Sequence, residues 1–448
     1  MHFDTPQAFE EFIESEKLRF FKVAVVDTDG VLRGKYMDRE KLSSSLRKGF
    51  GFCDVVLGWD SQDELYDNGV LSGFHTGYRD APVALDLSTV RRLPFEQDTA
   101  FLLGNFRGDY AKACPRTILE NVVSRAEAMG FSPRAAFEYE FFVFDETPHS
   151  ARKKGYRNLR PLTPGMFGYS VLRNSVHSDL HRQLLDDLEA LELPLEGLHT
   201  ETGPGVLEAA LCHQPAREAA DRAALFKTFC KVLLQRQGLM ATFMAKWSND
   251  YPGQSGHIHV SLESDGKNVF HAEDASGMSD TFRHFVAGQV HLLPTLLPMV
   301  CSTVNSYRRL VPGFWAPTHA NWGIENRTTA IRAILGERAA RSEYRIGPAD
   351  ANPYLALAAA LASGLYGIEH RLECDPVHGN AYEDPGRSSV ALASNLGSAA
   401  AHFSESDVAK ELLGETFVAH YAASRDWEDR KGRQAVTDWD LERYFEII

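Results

Sequence analysis

The chain has 448 residues, 24% of them charged, with a net charge of −14 and six cysteines. That length supports two or three domains around a large core, while an acidic balance with no basic stripe excludes nucleic acid and anionic membranes as expected partners. Cys53, Cys114, Cys212, Cys230, Cys301 and Cys374 form no C-x-x-C pair and read as reduced thiols of a cytoplasmic protein, in keeping with an N-terminus that lacks the basic and apolar regions of a signal peptide.

In chain order, Thr5-Pro6 followed by Phe9, Phe12 and Ile13 predicts a capped amphipathic helix. Phe20 to Asp27 and Val31 to Met37 flank Thr28-Asp29-Gly30, a hairpin signal. Cys114-Pro115-Arg116-Thr117 opens a helix that stops at Gly130, and a domain boundary is expected just before it, dividing residues 1–109 from 110–448. Beyond it, strands bearing polar motifs alternate with long helices such as Ala216 to Gln237. The alanine-rich stretch Tyr354 to Ile368 is too short to span a bilayer, and with Asn352-Pro353 at its start it reads as a buried helix. Asp375 to Ser389, with Pro376, Pro385 and Gly386, reads as an exposed loop. No internal repeat is present.

Four segments carry chemistry. Phe137 to Phe144 is so rich in aromatics and β-formers that it must be a strand, and Glu138 and Glu140 then share one face about 6.5 Å apart. In Ser255 to Leu262, His257, His259 and Ser261 point the same way. Arg341, Glu343 and Arg345 share a face at period two, and Glu201 and Glu208 flank a Gly-Pro-Gly turn whose glycines permit close backbone approach. Each segment alone reads as a solvated face. Together they need cations, because neighbouring carboxylates repel by about 4 kcal/mol at 4 Å and an effective dielectric near 20. Oxygen-rich ligation favours Mg²⁺ or Mn²⁺, and arginines beside hard metals suit phosphoryl transfer from ATP. No Gly-x-x-x-x-Gly-Lys-Ser/Thr loop occurs, so metals and arginines would hold the phosphates.

These segments, with Thr242 to Lys246, Asn305 to Pro317, Asn326 to Arg332 and Asp350 to Tyr354, resemble the glutamine synthetase superfamily over nearly the whole chain. Val304 to Arg309 and Asn321-Trp322-Gly323 resemble its branch that ligates glutamate to organic amines, such as γ-glutamylpolyamine synthetases. The resemblance implies an α+β fold: a small N-terminal β-grasp domain, and a large catalytic domain with a curved antiparallel sheet flanked by helices. It implies rings of six subunits, doubled to a dodecamer, with active sites between neighbours. Glu140, Glu201 and Glu208 would hold the metal nearer glutamate, and Glu138, His257 and Glu343 the metal nearer ATP, with two or three ions per site. Arg309, Arg345 and Gly253 would contact glutamate, Arg327 the transferring phosphoryl group, and Glu196, His259, Ser261, Arg332, Arg338 and Arg341 the nucleotide.

The departures bear on the nitrogen substrate. Ammonia-using members carry a glutamate where this chain has Trp315, in Arg309 to Pro317. A tryptophan there would line an apolar pocket or hold an alkylammonium by a cation–π contact of about 0.5 to 2 kcal/mol; otherwise it packs the loop. Asp54 is the nearest counterpart of the family's ammonium-site aspartate, although matching Gly58-Trp59 places Phe52 there, so the base that deprotonates the amine stays unassigned. The loop before His257 is one residue shorter than usual, leaving Gln254 as an alternative to Gly253. Tyr382 lies near a tyrosine adenylylated in some relatives, but in different surroundings. The first expectation is therefore an ATP-dependent ligase joining L-glutamate to an organic amine. The alternatives are an ammonia-dependent glutamine synthetase and a non-catalytic structural relative.

Overall fold

The computed structural model describes residues 2–274 and 277–448. Helix Pro6–Ser15 begins as expected, with Thr5 Oγ1 accepting from the Ala8 N–H. The hairpin of strands Phe20–Val26 and Leu32–Met37 follows, and Asp27 leaves the first strand to build the turn. Its Oδ1 accepts from the Asp29 and Val31 amides at 3.0 and 2.8 Å, an Asx device that fixes the reversal. With strands Phe50–Cys53, Asp80–Leu93 and Glu96–Phe106 these form a five-stranded mixed sheet in which Phe20–Val26 runs parallel to Glu96–Phe106. Phe9, Ile13, Phe21 and Leu42 lie in the core beneath this sheet.

A second sheet of ten strands carries the larger core. Its main path runs through Trp322–Ile324, Ile331–Ile334, Arg341–Tyr344, Gly256–Ser264, Ser132–Phe144, Val206–Leu211 and Leu195–Thr200. Every pairing along it is antiparallel except the first. One face of the central strand Ser132–Phe144 turns Tyr139 and Phe141 onto Phe226 of helix Ala216–Arg236 and onto Phe243, with Phe137 stacked on Tyr139. Strand alternation therefore sends Glu138 and Glu140 to the opposite face. The expected helices appear as Pro115–Ala128, with Gly130 in the left-handed region, and Pro353–His370, capped by the Asn352 side chain.

Two contacts tie the sheets together. Arg116, wholly buried, gives both ends of its fork to Asp221 at 2.7 Å, and also reaches Asp86 at 3.0 Å and Asn105. At the hairpin tip, Gly30 has φ +84° and a Cβ there would lie 3.0 Å from Asn352 Cα, so only glycine lets the turn seat on the start of helix Pro353–His370. Among the described residues no helix is long and apolar enough to cross a membrane, and all six cysteines are free.

Candidate active site

Strand register assembles the site. Arg332 lies opposite Glu343, Glu343 opposite His259, His257 opposite Glu138, Glu140 opposite Glu208, and Glu208 opposite His199. A row of charged and imidazole side chains thus crosses six adjacent strands on the face opposite the aromatic core.

The row divides into two halves. In the first, His257 Nδ1 is 3.0 Å from Glu138 Oε1 and 3.5 Å from Glu343 Oε1, and His259 Nε2 is 3.7 Å from Glu138 Oε2. Burial, with Arg345 adding to it, lowers the His257 pKa to about 4. The neutral ring therefore donates from Nδ1 to Glu138 and leaves Nε2 with an open lone pair, the tautomer a metal requires. That Nε2 is buried without a hydrogen-bond partner among the described residues. Burial opposes ionisation of Glu138 and Glu343, yet the His257 and His259 contacts hold Glu138 well below the carboxylate range, and Arg345 with His257 hold Glu343 at about 2. Glu138, His259 and Glu343 form one trio able to surround a cation.

The second half joins His199, Glu201 and Glu208, whose donor atoms all lie within 4.8 Å of one another. Burial, then the charges of Glu138, Glu140 and Glu201, push the Glu208 carboxyl up to about 9. Burial likewise raises Glu140 to about 7, although the Ser255 N–H donates to its Oε2 at 2.6 Å. Carboxylates this crowded are relieved by cations. The open nitrogen on His257, a second on His199, and the surplus of carboxylate oxygen fit hard divalent ions.

The remaining residues surround this row. Glu196, His259, Ser261, Arg338 and Arg341 line one cleft of about 360 Å³ that reaches Glu138. Arg341 Nε donates to His259 Nδ1 at 3.1 Å. Arg332 lies outside that cleft, bridging Glu343 at 2.9 Å and Glu325. Arg345 pairs with Glu343. Arg309 is buried, and its terminal nitrogens are spent on the Ile346 and Arg345 carbonyls and on Ser255 Oγ, leaving only Nε without a partner. Gly253 packs directly on it: a Cβ there would meet Arg309 Cγ at 2.7 Å. Gln254 is wholly buried, with neither amide atom partnered among the described residues. Arg327 projects from an exposed loop, and Trp315 is 52% exposed with φ +59°.

Two contributors lie outside the expected set. His199, stacked on Tyr169 at 4.5 Å, completes the second trio; its spacing of two from Glu201 was the available signal. Tyr382 lies within electrostatic reach of the site's arginines. Its buried hydroxyl has no partner among the described residues, and it faces the charges of Arg345 and Arg309. Asn326 and Thr328 clamp its loop, donating to the Gly379 carbonyl and accepting from the Ala381 amide.

Residues 112–444 match the model of the glutamine synthetase catalytic domain. The chain is 46% identical over 445 residues to a type-1 glutamine synthetase of Dictyostelium discoideum, covering 97% of this chain and 85% of that protein. It is 35% identical to a glutamate–isopropylamine ligase of a Pseudomonas species, covering 98% of this chain and 97% of the relative. A γ-glutamylethanolamide synthetase of Streptomyces coelicolor is 36% identical, over 95% and 92%. Among solved structures, an ADP complex of GmaS superposes with a TM-score of 0.85 at 25% identity, covering 97% of this chain and 98% of that one.

Proposed function

The chain belongs to the glutamine synthetase family and is an ATP-dependent carbon–nitrogen ligase, and from that premise we propose that it joins the γ-carboxyl of L-glutamate to a small organic amine through γ-glutamyl phosphate. The observation that carries the reading is the six-strand row of carboxylates and imidazoles with a nucleotide-sized cleft beside its middle, at Glu138 and His259. An amine does not displace oxide from a carboxylate at useful rates, so the γ-carboxyl must first take a phosphoryl group. Two or three Mg²⁺ or Mn²⁺ ions held by Glu140, Glu201 and Glu208 and by Glu138, His257 and Glu343 would neutralise phosphate charge. His199 and His259 supply further nitrogens beside these sets.

The chain's own groups do the rest. Glu196, His259, Ser261, Arg338 and Arg341 bind the nucleotide, with Arg332 holding Glu343 in place. Arg309, Arg345 and Gly253 frame glutamate, and Arg327 stabilises the equatorial oxygens of the phosphoryl in flight. Amine attack then requires a dry pocket, since water would hydrolyse the acyl phosphate. Trp315 favours an organic amine: the flap from Arg309 to Pro317 contains no carboxylate to hold ammonium, and the ethanolamine- and isopropylamine-using relatives support this choice.

The 46% identity to a type-1 glutamine synthetase favours a second reading, with ammonia as the nitrogen donor. Phosphate release by purified protein with Mg²⁺, ATP and glutamate, scanned over ammonia, ethanolamine, isopropylamine, methylamine and polyamines, decides between them. Ammonia matching the best organic amine in kcat/KM would overturn the amine reading.

A further inference from the structure

A second cavity, of about 380 Å³, lies on the aromatic side of the central strand, between the Asp29–Leu32 hairpin and helix Ala216–Arg236. It shares no lining residue with the nucleotide cleft. Phe243 separates it from the strand that bears Glu138 and Glu140, packing on Tyr139 and Phe141 from the cavity side.

Its charges are unusual in their pairing. Arg425 and Asp29 satisfy each other at 2.7 Å. Four others line the same space without an ion pair among the described residues: Lys227, Lys231, Asp350 and Glu428. Lys227 makes a single hydrogen bond, to the Ala351 carbonyl at 2.9 Å, although an ammonium has three protons to place. Lys231 makes no hydrogen bond among the described residues, and its ammonium lies over the Phe243 ring at 5.5 Å. Among the described residues Asp350 accepts only from the hydroxyls of Thr303, at 3.0 Å, and Ser306. Burial pulls both ammonium groups down, Lys227 to about 7, and pushes both carboxyls up. These half-buried groups attract one another across the space, Lys227 with Asp350 and Glu428 with Arg425, but none of these attractions closes into an ion pair among the described residues, so the cost of burial is only partly offset.

A simple anion would answer the lysines and leave the carboxyls unpaired, and a simple cation the reverse. A ligand carrying a carboxylate and an ammonium on one carbon answers both, and Phe243, Met244 and Leu32 supply an apolar wall for a side chain. We propose that this cavity is a binding site for a free α-amino acid, separate from the catalytic row, with Lys227 and Lys231 holding its carboxylate and Asp350 and Glu428 its ammonium.

Calorimetric titration of the intact protein with the common amino acids, in the absence of Mg²⁺ and ATP, tests this. At least one amino acid is expected to bind, and its N-acetyl and methyl ester derivatives, each lacking one charge, are expected not to. Lys231→Met should weaken binding by about tenfold or more, since it leaves a buried carboxylate unpaired, while kcat at saturating substrates stays unchanged. Glu208→Gln, altered in the catalytic row, should bind as the wild type does. Should Lys231→Met fail to fold, Glu428→Gln serves, with the same loss expected. Binding of no amino acid, binding unaffected by these cavity variants, loss of binding in Glu208→Gln, or equal binding of acetate or phosphate would each overturn the proposal.

Discussion

The crowding around Glu208 gives a quantitative test of the metal site. Its carboxylate and that of Glu201 have donor atoms within 4.8 Å, and two unit charges at that separation repel by about 3.5 kcal/mol at an effective dielectric near 20. Holding a proton instead is no cheaper. With the Glu208 carboxyl pushed up to about 9, keeping it protonated at pH 7.5 against an ordinary value near 4.5 costs about 4 kcal/mol. Glu208→Gln keeps the shape and removes the charge, so the metal-free protein should gain about 3.5 kcal/mol. Unfolding entropy of about 2.1 cal/mol/K per residue over 448 residues converts this to a Tm about 4 °C higher. Mg²⁺ at a hundred times its Kd should add about 2.7 kcal/mol to the wild type, or about 3 °C, and less than half of that to the variant. Differential scanning calorimetry in chelator and in Mg²⁺ measures both. A variant that melts at or below the wild type in chelator, or that gains as much from Mg²⁺, would refute the reasoning.

Three further outcomes are expected. Arg327→Ala should lower kcat about a thousandfold, the scale of an arginine that stabilises a transferring phosphoryl group, with an unchanged circular dichroism melt because the side chain is exposed; near-normal turnover would contradict its role. Trp315→Glu should raise kcat/KM for ammonia relative to the best organic amine by about tenfold, the value of one well-placed charge on an ammonium; an unchanged ratio in the amine panel would show that the flap does not choose the nitrogen. His420, wholly buried between the Leu57 carbonyl and the Leu71 amide, has its pKa lowered by burial to about 4. Its stabilisation is complete above about pH 6.5 and lost as pH falls toward 4, about 3 kcal/mol in all. Urea titrations at pH 7.5 and 4.5 should show wild type losing about 2.5 kcal/mol more than His420→Gln, and equal losses would count against it.

What the sequence made legible was which residues share a face. Alternation in Phe137 to Phe144 put Glu138 and Glu140 opposite the aromatic core, and the same period grouped His257 with His259 and Arg341 with Glu343, all as observed. Hairpin and helix starts were equally readable, because the signals at Asp27 to Gly30, Thr5 and Asn352 are local hydrogen bonds. Partnership across strands was not, since register is a nonlocal property. Sequence reading assigned His257 to metal and His259 to nucleotide, yet the register sets His257 against Glu138 and His259 against Glu343, so both imidazoles border the same carboxylates. His199 escaped because its strand reads Leu-Glu-Gly-Leu-His-Thr, with weak β cues and a register slip at Gly197.

Loops and helices hid their roles for a different reason. Asp375 to Ser389 reads as exposed because it is polar and rich in proline and glycine, but Asn326 and Thr328 pull Gly379 to Tyr382 inward and bury a phenol hydroxyl beside two arginines. Lys227 and Lys231 are spaced like any solvated helix face; what buries them is a hairpin nearly two hundred residues earlier and Asp350 more than a hundred residues later. Local spacing fixes the direction of a side chain, and the chain's long-range closure fixes whether that direction is water or another charge. An ammonium at helical spacing therefore becomes informative only when its closure partner is also a charge that has been left unpaired, which is why Lys231→Met separates a ligand site from a merely buried lysine.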